Sequence, residues 1–261
     1  MTKKEKIDGK NLNFFTKESM KQYKDIFIDF DDTLYDTHGN AVIALEELFK
    51  EMNLKQYFYD PNLFYTEYWK ANVELWTRYS QGEITRDYLI LERFMRPLMT
   101  SERFRNYAEK EPQKAKELAL KIGDIFLDYC SSKPRVVEGA HELMDYLKKK
   151  GYRIHMCSNG FHEVQYKKLD SCGLSPYFDS VILSEDAGVN KPAKEYFDYA
   201  LNKTGALRET TIMIGDTFNT DILGAKHSGI DTIYFNRNME YPLAEDVTHE
   251  VISLKEIIEI L

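Results

Sequence analysis

Read only for apolar and polar positions, the chain has two textures. Between residues 36 and 132 the pattern is helical, with stretches at 40–52, 62–80 and 85–95 that lack any glycine or proline. Phe64, Tyr65, Tyr68, Trp69 and Trp76 recur there at helical spacing, which predicts the interior of a helical bundle. From residue 133 onward, short β-branched runs alternate with helical segments. Strand signals fall at 152–160, 180–186, 210–216 and 231–236, each closing on polar residues, with helices predicted over 139–150, 163–172, 193–204 and 219–228. The run KDIFIDFD (24–31) is one more strand, parted from the others by the helical block. Strands alternating with helices of this length imply right-handed crossovers and a parallel sheet. The pattern therefore predicts an α/β fold: a doubly wound, Rossmann-like parallel-sheet core from residues 1–35 and 133–261, interrupted after its first strand by an inserted all-helical cap domain at 36–132.

Composition narrows this picture. Of the 261 residues 43% are hydrophobic, enough for a proper core, and no segment is polar enough to read as disordered. The net charge of −8 argues against a surface for a nucleic-acid polymer, which needs a basic face. An acidic protein that handles an anionic substrate must concentrate positive charge locally, through a metal or a placed lysine. Cys130, Cys157 and Cys172 show no metal-ligand spacing and read as buried or incidental thiols of a reducing compartment. The basic N-terminus has no apolar stretch behind it and so is not a secretory signal, and no apolar run is long enough to span a membrane. A cytoplasmic protein is expected.

The candidate chemistry lies at the strand ends. Ligands of open parallel sheets sit beyond the carboxyl ends of the strands, so Asp29/Asp31, Ser158/Asn159 and Gly215/Asp216 should converge. In Asp29-Phe30-Asp31-Asp32-Thr33 like charges crowd together, which calls for a cation or a proton between them. A helix-loop-helix calcium loop does not fit, because its sixth position would be Leu34 and its twelfth Asn40. Ser158 and Asn159 suit a phosphate oxygen, or simply cap the following helix. A cysteine-phosphatase reading of Cys157 fails, since Glu163 stands where an arginine is needed. Lys191 precedes Pro192, which can open a helix at its first position. Asp216 and Asp221 could share one cation across a strand-to-helix turn. Each signal alone also fits a solvated loop or a surface charge.

Taken in order, DxDxT, Ser158-Asn159, Lys191-Pro192 and Gly215-Asp216 followed by Asp221 resemble the motifs of the haloacid dehalogenase superfamily of phosphatases. The resemblance spans essentially the whole chain, the helical block standing where that superfamily inserts its first-type cap. It implies Asp29 as nucleophile, forming an aspartyl-phosphate, and Asp31 as acid and then base. It implies Mg²⁺ as cofactor, held by the Asp29 carboxylate, the Asp31 backbone carbonyl and Asp216, with Asp221 as direct or supporting ligand. Lys191 would hold the nucleophile, while Ser158, Asn159 and Thr33 would serve the phosphoryl group. A free aspartate has a pKa of ~3.9, so Asp31 is expected to be tuned upward in the substrate complex.

Residues 71–94 and 158–201, including Phe161, look like the pyrimidine 5′-nucleotidase branch, which implies a nucleoside 5′-monophosphate as the small phosphorylated substrate. Trp76 or Phe161 could stack on a base, although core packing is the ordinary role of such aromatics. Asp31, Asp216 and Asp221 argue against a dehalogenase. A broad sugar-phosphate or phosphoglycolate phosphatase, a mutase, and a catalytically silent binding protein remain as alternatives. The 23 residues before the first strand depart from the superfamily pattern and read as an ornament on the core without an assigned role. A monomer or weak homodimer is expected.

Overall fold

The computed structural model describes residues 22–239 and 247–261. Most of the lead-in noted above therefore lies outside the described residues. Strand β1 (Asp25–Ile28) is followed by five helices: α1 (Thr37–Glu51), α2 (Pro61–Ser80), α3 (Arg86–Met99), α4 (Glu102–Lys110) and α5 (Pro112–Ser131). Next come α6 (Ala140–Lys150), β2 (Arg153–Ser158), α7 (His162–Cys172), β3 (Ser180–Leu183), the single turn α8 (Ser184–Ala187) and α9 (Lys194–Thr204). The chain ends with β4 (Thr211–Gly215), α10 (Gly224–His227), β5 (Asp231–Phe235), β6 (His249–Val251) and α11 (Leu254–Ile260).

The strands form one parallel sheet in the order β3-β2-β1-β4-β5-β6. Alternation along β1 shows how it is buried on both faces. Ile26 and Ile28 pack with Leu143, Met144 and Leu147 of α6 and with Leu254 and Ile257 of α11. Phe27, pointing the other way, packs with Tyr196, Phe197 and Ala200 of α9. A strand covered on both faces reads as a continuous apolar run, as this one does. The chain builds outward from β1 through β2 to β3, then crosses back to lay β4 on the other side of β1, and this reversal opens a crevice at the carboxyl edge between β1 and β4.

The helical block has its own core, built from Ala44, Leu45 and Leu48 of α1, Phe64 and Tyr68 of α2, Phe94 and Leu98 of α3, and Ile122 and Phe126 of α5. Side-chain caps set its helix starts. Asp36 accepts from Gly39 N at 3.0 Å to begin α1, and Thr85 and Ser101 do the same for α3 and α4. Two neighbouring crossings tie block to sheet. The Tyr35 hydroxyl reaches the carbonyl oxygens of Cys130 (2.6 Å) and Lys133 (2.7 Å), and Asn40 donates to Arg135 O at 2.9 Å.

Three elements differ from the sequence-based expectation. The strand over 180–186 stops at Leu183, and Ser184–Ala187 turn into α8. The helix over 219–228 is instead a π-helical turn at Phe218–Leu223 followed by the short α10. Pro192 does not open a helix: α9 begins at Lys194 with Ala193 as its cap. The edge strand β6 and α11 carried too few residues to be predicted.

Candidate active site

Asp29 follows the last residue of β1, and Asp216 follows the last residue of β4, so the crevice between these strands brings two carboxylates together. Asp221 is delivered by the π-helical turn. A widened turn of this kind is frequent at functional sites, and here glycine makes it possible. A Cβ on Gly215 would lie 2.4 Å from Asp221 Oδ2, so only glycine lets the carboxylate fold back against the strand end. Its Oδ2 then accepts from Thr217 N at 3.1 Å. One oxygen each of Asp29, Asp216 and Asp221 lies within 4.8 Å of the others.

Lys191 arrives from the loop before α9. Its ammonium is buried and donates to Asp29 Oδ1 (2.6 Å), Asp221 Oδ1 (2.7 Å) and Cys157 O (2.7 Å). Asn159 locks that loop, accepting from Lys191 N (2.8 Å) and donating to Lys191 O (3.0 Å). Thr33, expected at the phosphoryl group, is fully buried. Its hydroxyl lies 3.2 Å from Asp29 Oδ2 and 3.0 Å from Asp216 Oδ1 and accepts from Asp216 N at 3.1 Å, so it spaces the carboxylates. Ser158 ends β2, and its oxygen accepts from Gly160 N (3.0 Å) and Gln165 Nε2 (2.7 Å), leaving its own O–H to donate.

Asp31 sits apart from this cluster. It is bonded to Thr37 of α1 and to Gln165 and Lys168 of α7, the last as an ion pair. The sequence reading missed all three. Gln165 and Lys168 lie with Leu169 and Cys172 on the buried face of α7, and polar residues at apolar-period positions were the available signal. Gln165 needs the space over Gly160, where a Cβ would meet its amide at 1.9 Å. Asp32 turns away with φ +59°, accepting from His38 N at 3.0 Å and facing Arg237.

The electrostatics separate the roles. Burial pushes the Asp29 carboxyl up to about 7, with Lys191 opposing and Asp221 and Asp31 reinforcing. Asp216 is likewise pushed well above the carboxylate range by burial, then by Asp29 and Asp221. Burial works against the Lys191 ammonium, but Asp221 and Asp29 together raise its pKa. Asp31 goes the other way in the arrangement seen here. Burial raises it, but the Lys168 charge and the bonds from Lys168, Thr37 and Gln165 prevail and hold it below the usual range. Burial pushes the Cys157 thiol up to about 12, so it is inert. One lysine against the carboxylates of Asp29, Asp216 and Asp221 leaves the cluster short of positive charge, and hard carboxylate oxygens suit a cation such as Mg²⁺. Asp221, with both oxygens engaged by Lys191 and Thr217, would support such an ion from behind.

Above the carboxylates lies a cavity of about 470 Å³. Its floor holds Asp29, Asp31, Ser158, Lys191 and Asp216, and its walls include Tyr68, Trp69 and Trp76 of α2 and Phe161 before α7. Helical block and sheet meet around it. Arg86 of α3 pairs with Glu163 and, at 2.7 Å, with Glu185 while lying 4.3 Å over the Phe161 ring. Asn190 donates to Tyr79 O at 2.7 Å.

A doubly wound sheet carrying paired carboxylates and a buried lysine at its carboxyl edge, under a helical roof, is a hydrolase architecture. The chain belongs to the haloacid dehalogenase-like hydrolases, whose family profile matches residues 23–229. The HAD-hydrolase YfnB of Bacillus subtilis is 30% identical to it over 93% of this chain and 97% of its own. The crystal structure of YfnB, bound to magnesium, superposes with a TM-score of 0.77, covering 92% of this chain and 99% of that one at 29% identity. The pyrimidine 5′-nucleotidases YjjG of Escherichia coli and PynA of Streptococcus pneumoniae are 31% and 28% identical. They cover 90% and 92% of this chain, and 96% and 95% of their own lengths.

Proposed function

We propose that the protein is a Mg²⁺-dependent phosphomonoesterase that works through an aspartyl-phosphate and acts on nucleoside 5′-monophosphates. The observation that carries this reading is the carboxylate–lysine cluster opening into an aromatic-walled cavity. About 470 Å³ falls in the range of small-molecule sites. The resemblance to the two pyrimidine 5′-nucleotidases over nearly the whole chain favours the nucleotide substrate.

Asp29, Asp216 and the Asp31 backbone carbonyl would hold the Mg²⁺ ion, which when bound neutralises the approach of phosphate and polarises its oxygens. An Asp29 carboxylate oxygen attacks phosphorus, and the bond to the ester oxygen breaks with its electron pair on the departing alkoxide. Asp31 protonates that alkoxide. Arrival of a phosphate dianion raises the proton affinity of Asp31, offsetting the pull of Lys168. In the second step Asp31, now a carboxylate, takes a proton from water, and the water oxygen attacks phosphorus. The phosphorus–Asp29 bond then breaks, releasing inorganic phosphate and restoring both carboxyl groups. Lys191 stabilises Asp29 as a compact charge, and the Ser158 hydroxyl and Asn159 backbone donate to phosphoryl oxygens.

Phosphate release from nucleoside monophosphates, sugar phosphates and phosphoglycolate, with Mg²⁺ and with EDTA, tests the proposal. Nucleotide turnover is expected with Mg²⁺ and lost with EDTA or in Asp29→Asn. Activity persisting after chelation would overturn the mechanism, and a preference for sugar phosphates would replace the substrate class.

A further inference from the structure

Arg93, in the middle of α3, is only 3% exposed, yet it lines the active-site cavity. Its Nε and Nη2 have no hydrogen-bond partner, and no carboxylate pairs with it among the described residues. The other arginines nearby behave differently. Arg86 and Arg96 on the same helix, and Arg78 on α2, each pair with two glutamates. What Arg93 has instead is two aromatic faces, with the guanidinium carbon 5.6 Å from the Phe94 ring centroid and 5.2 Å from that of Phe126. Such contacts offset only part of the cost of a buried charge. A donor-only group held dry and uncompensated at a cavity wall lacks an acceptor. The phosphoryl group is provided for elsewhere, by Lys191 and Ser158 at the strand ends, whereas Arg93 sits on the helical block beside Tyr68 and Phe126 of the cavity wall.

We propose that Arg93 is a substrate-binding residue of this cavity: its guanidinium takes an acceptor oxygen, oxo or carboxylate, carried by the part of the substrate remote from the transferred phosphoryl group. This rests on the phosphomonoesterase reading. In a nucleotide the acceptor is an exocyclic oxo group of the base. A site built to donate to such an oxygen discriminates strongly against an analogue without it, because the donor is then left unpaired.

The test compares wild type, Arg93→Met and Arg93→Lys on uridine 5′-monophosphate (oxo acceptor), 3-phosphoglycerate (carboxylate acceptor) and phenyl phosphate (no acceptor). The loss of kcat/KM in Arg93→Met is expected to be at least tenfold larger on one acceptor-bearing substrate than on phenyl phosphate. The substrate that suffers identifies the acceptor, and Arg93→Lys should recover part of the loss. Thermal unfolding should show Arg93→Met to be no less stable than wild type, since an unpaired buried charge has been removed. Equal losses on all three substrates, or none, would overturn the proposal and leave a packing role. If Arg93→Met does not fold, the same comparison is read from Arg93→Lys. A wild type inactive on all three substrates refutes the phosphomonoesterase reading separately. Calorimetric titration with uridine 5′-monophosphate then decides Arg93: tenfold weaker binding in the variant supports it, and equal or undetectable binding overturns it.

Discussion

Asp29 and Asp31 are two residues apart, yet the fold drives their proton affinities in opposite directions. Asp29 is buried among other carboxylates, while Asp31 faces the Lys168 ammonium. Replacing Lys168 by Met should raise the Asp31 pKa, because the largest influence opposing its burial is removed. The base form required for the second step would then exist only at higher pH. The acidic limb of the kcat–pH profile should move upward, and an unmoved limb would remove Lys168 from this role. The partners of Asp31 were hidden because Gln165 and Lys168 resemble ordinary polar positions of a surface helix. Only the packing of α7 shows them buried. Asp29, Ser158 and Asp216 were visible because each stands at the end of an apolar strand, whereas Lys191 and Asp221 were picked out by the ordered motifs that resemble the superfamily. Thr33 was visible too, but its task of spacing two carboxylates depends on β4 lying beside β1.

At the scale of elements, α3 meets the first turns of α7 and α8 at a joint beside the cavity. Arg86 joins Glu163 and Glu185 across that joint and covers Phe161. Exposed ion pairs contribute only ~0.2–1 kcal/mol each, so Arg86→Ala should leave the fold intact. It should loosen closure and raise KM for the substrate by roughly three- to tenfold while changing kcat less. Steady-state kinetics with a melting curve checks this, and a loss confined to kcat would count against it. The long helices were legible because their caps and periodic faces are local. The π-helical turn was not, since its widening goes with the close approach of Asp221, inside the turn, to Gly215 at the strand end.

For the whole molecule, the buried carboxylates link stability to pH and to cations. The Asp29 pKa is raised from 3.8 unfolded to about 7 folded. Between those values the native state binds more protons than the unfolded state, so this group's contribution to stability falls as pH rises. Chelated protein should therefore melt at progressively lower temperature from pH 5 to pH 8. Added Mg²⁺ should raise the melting temperature more at pH 8 than at pH 5, because at the lower pH it competes with protons for the raised carboxyl groups of Asp29 and Asp216. An equal rise at both pH values would place cation binding elsewhere.

The sequence by itself determined the parallel α/β core, the helical insertion and the strand-end residues that carry the proposed chemistry. All of these depend on local periodicity and on the rule that parallel strands present their carboxyl ends together. Tertiary structure alone decided which charges are compensated. It gave Lys168 to Asp31 and Lys191 to Asp29 and Asp221, and it left Arg93 without a counter-charge in the cavity wall. Compensation depends on distances of a few ångströms between segments far apart in the chain, and no spacing of residues along a sequence encodes such distances directly.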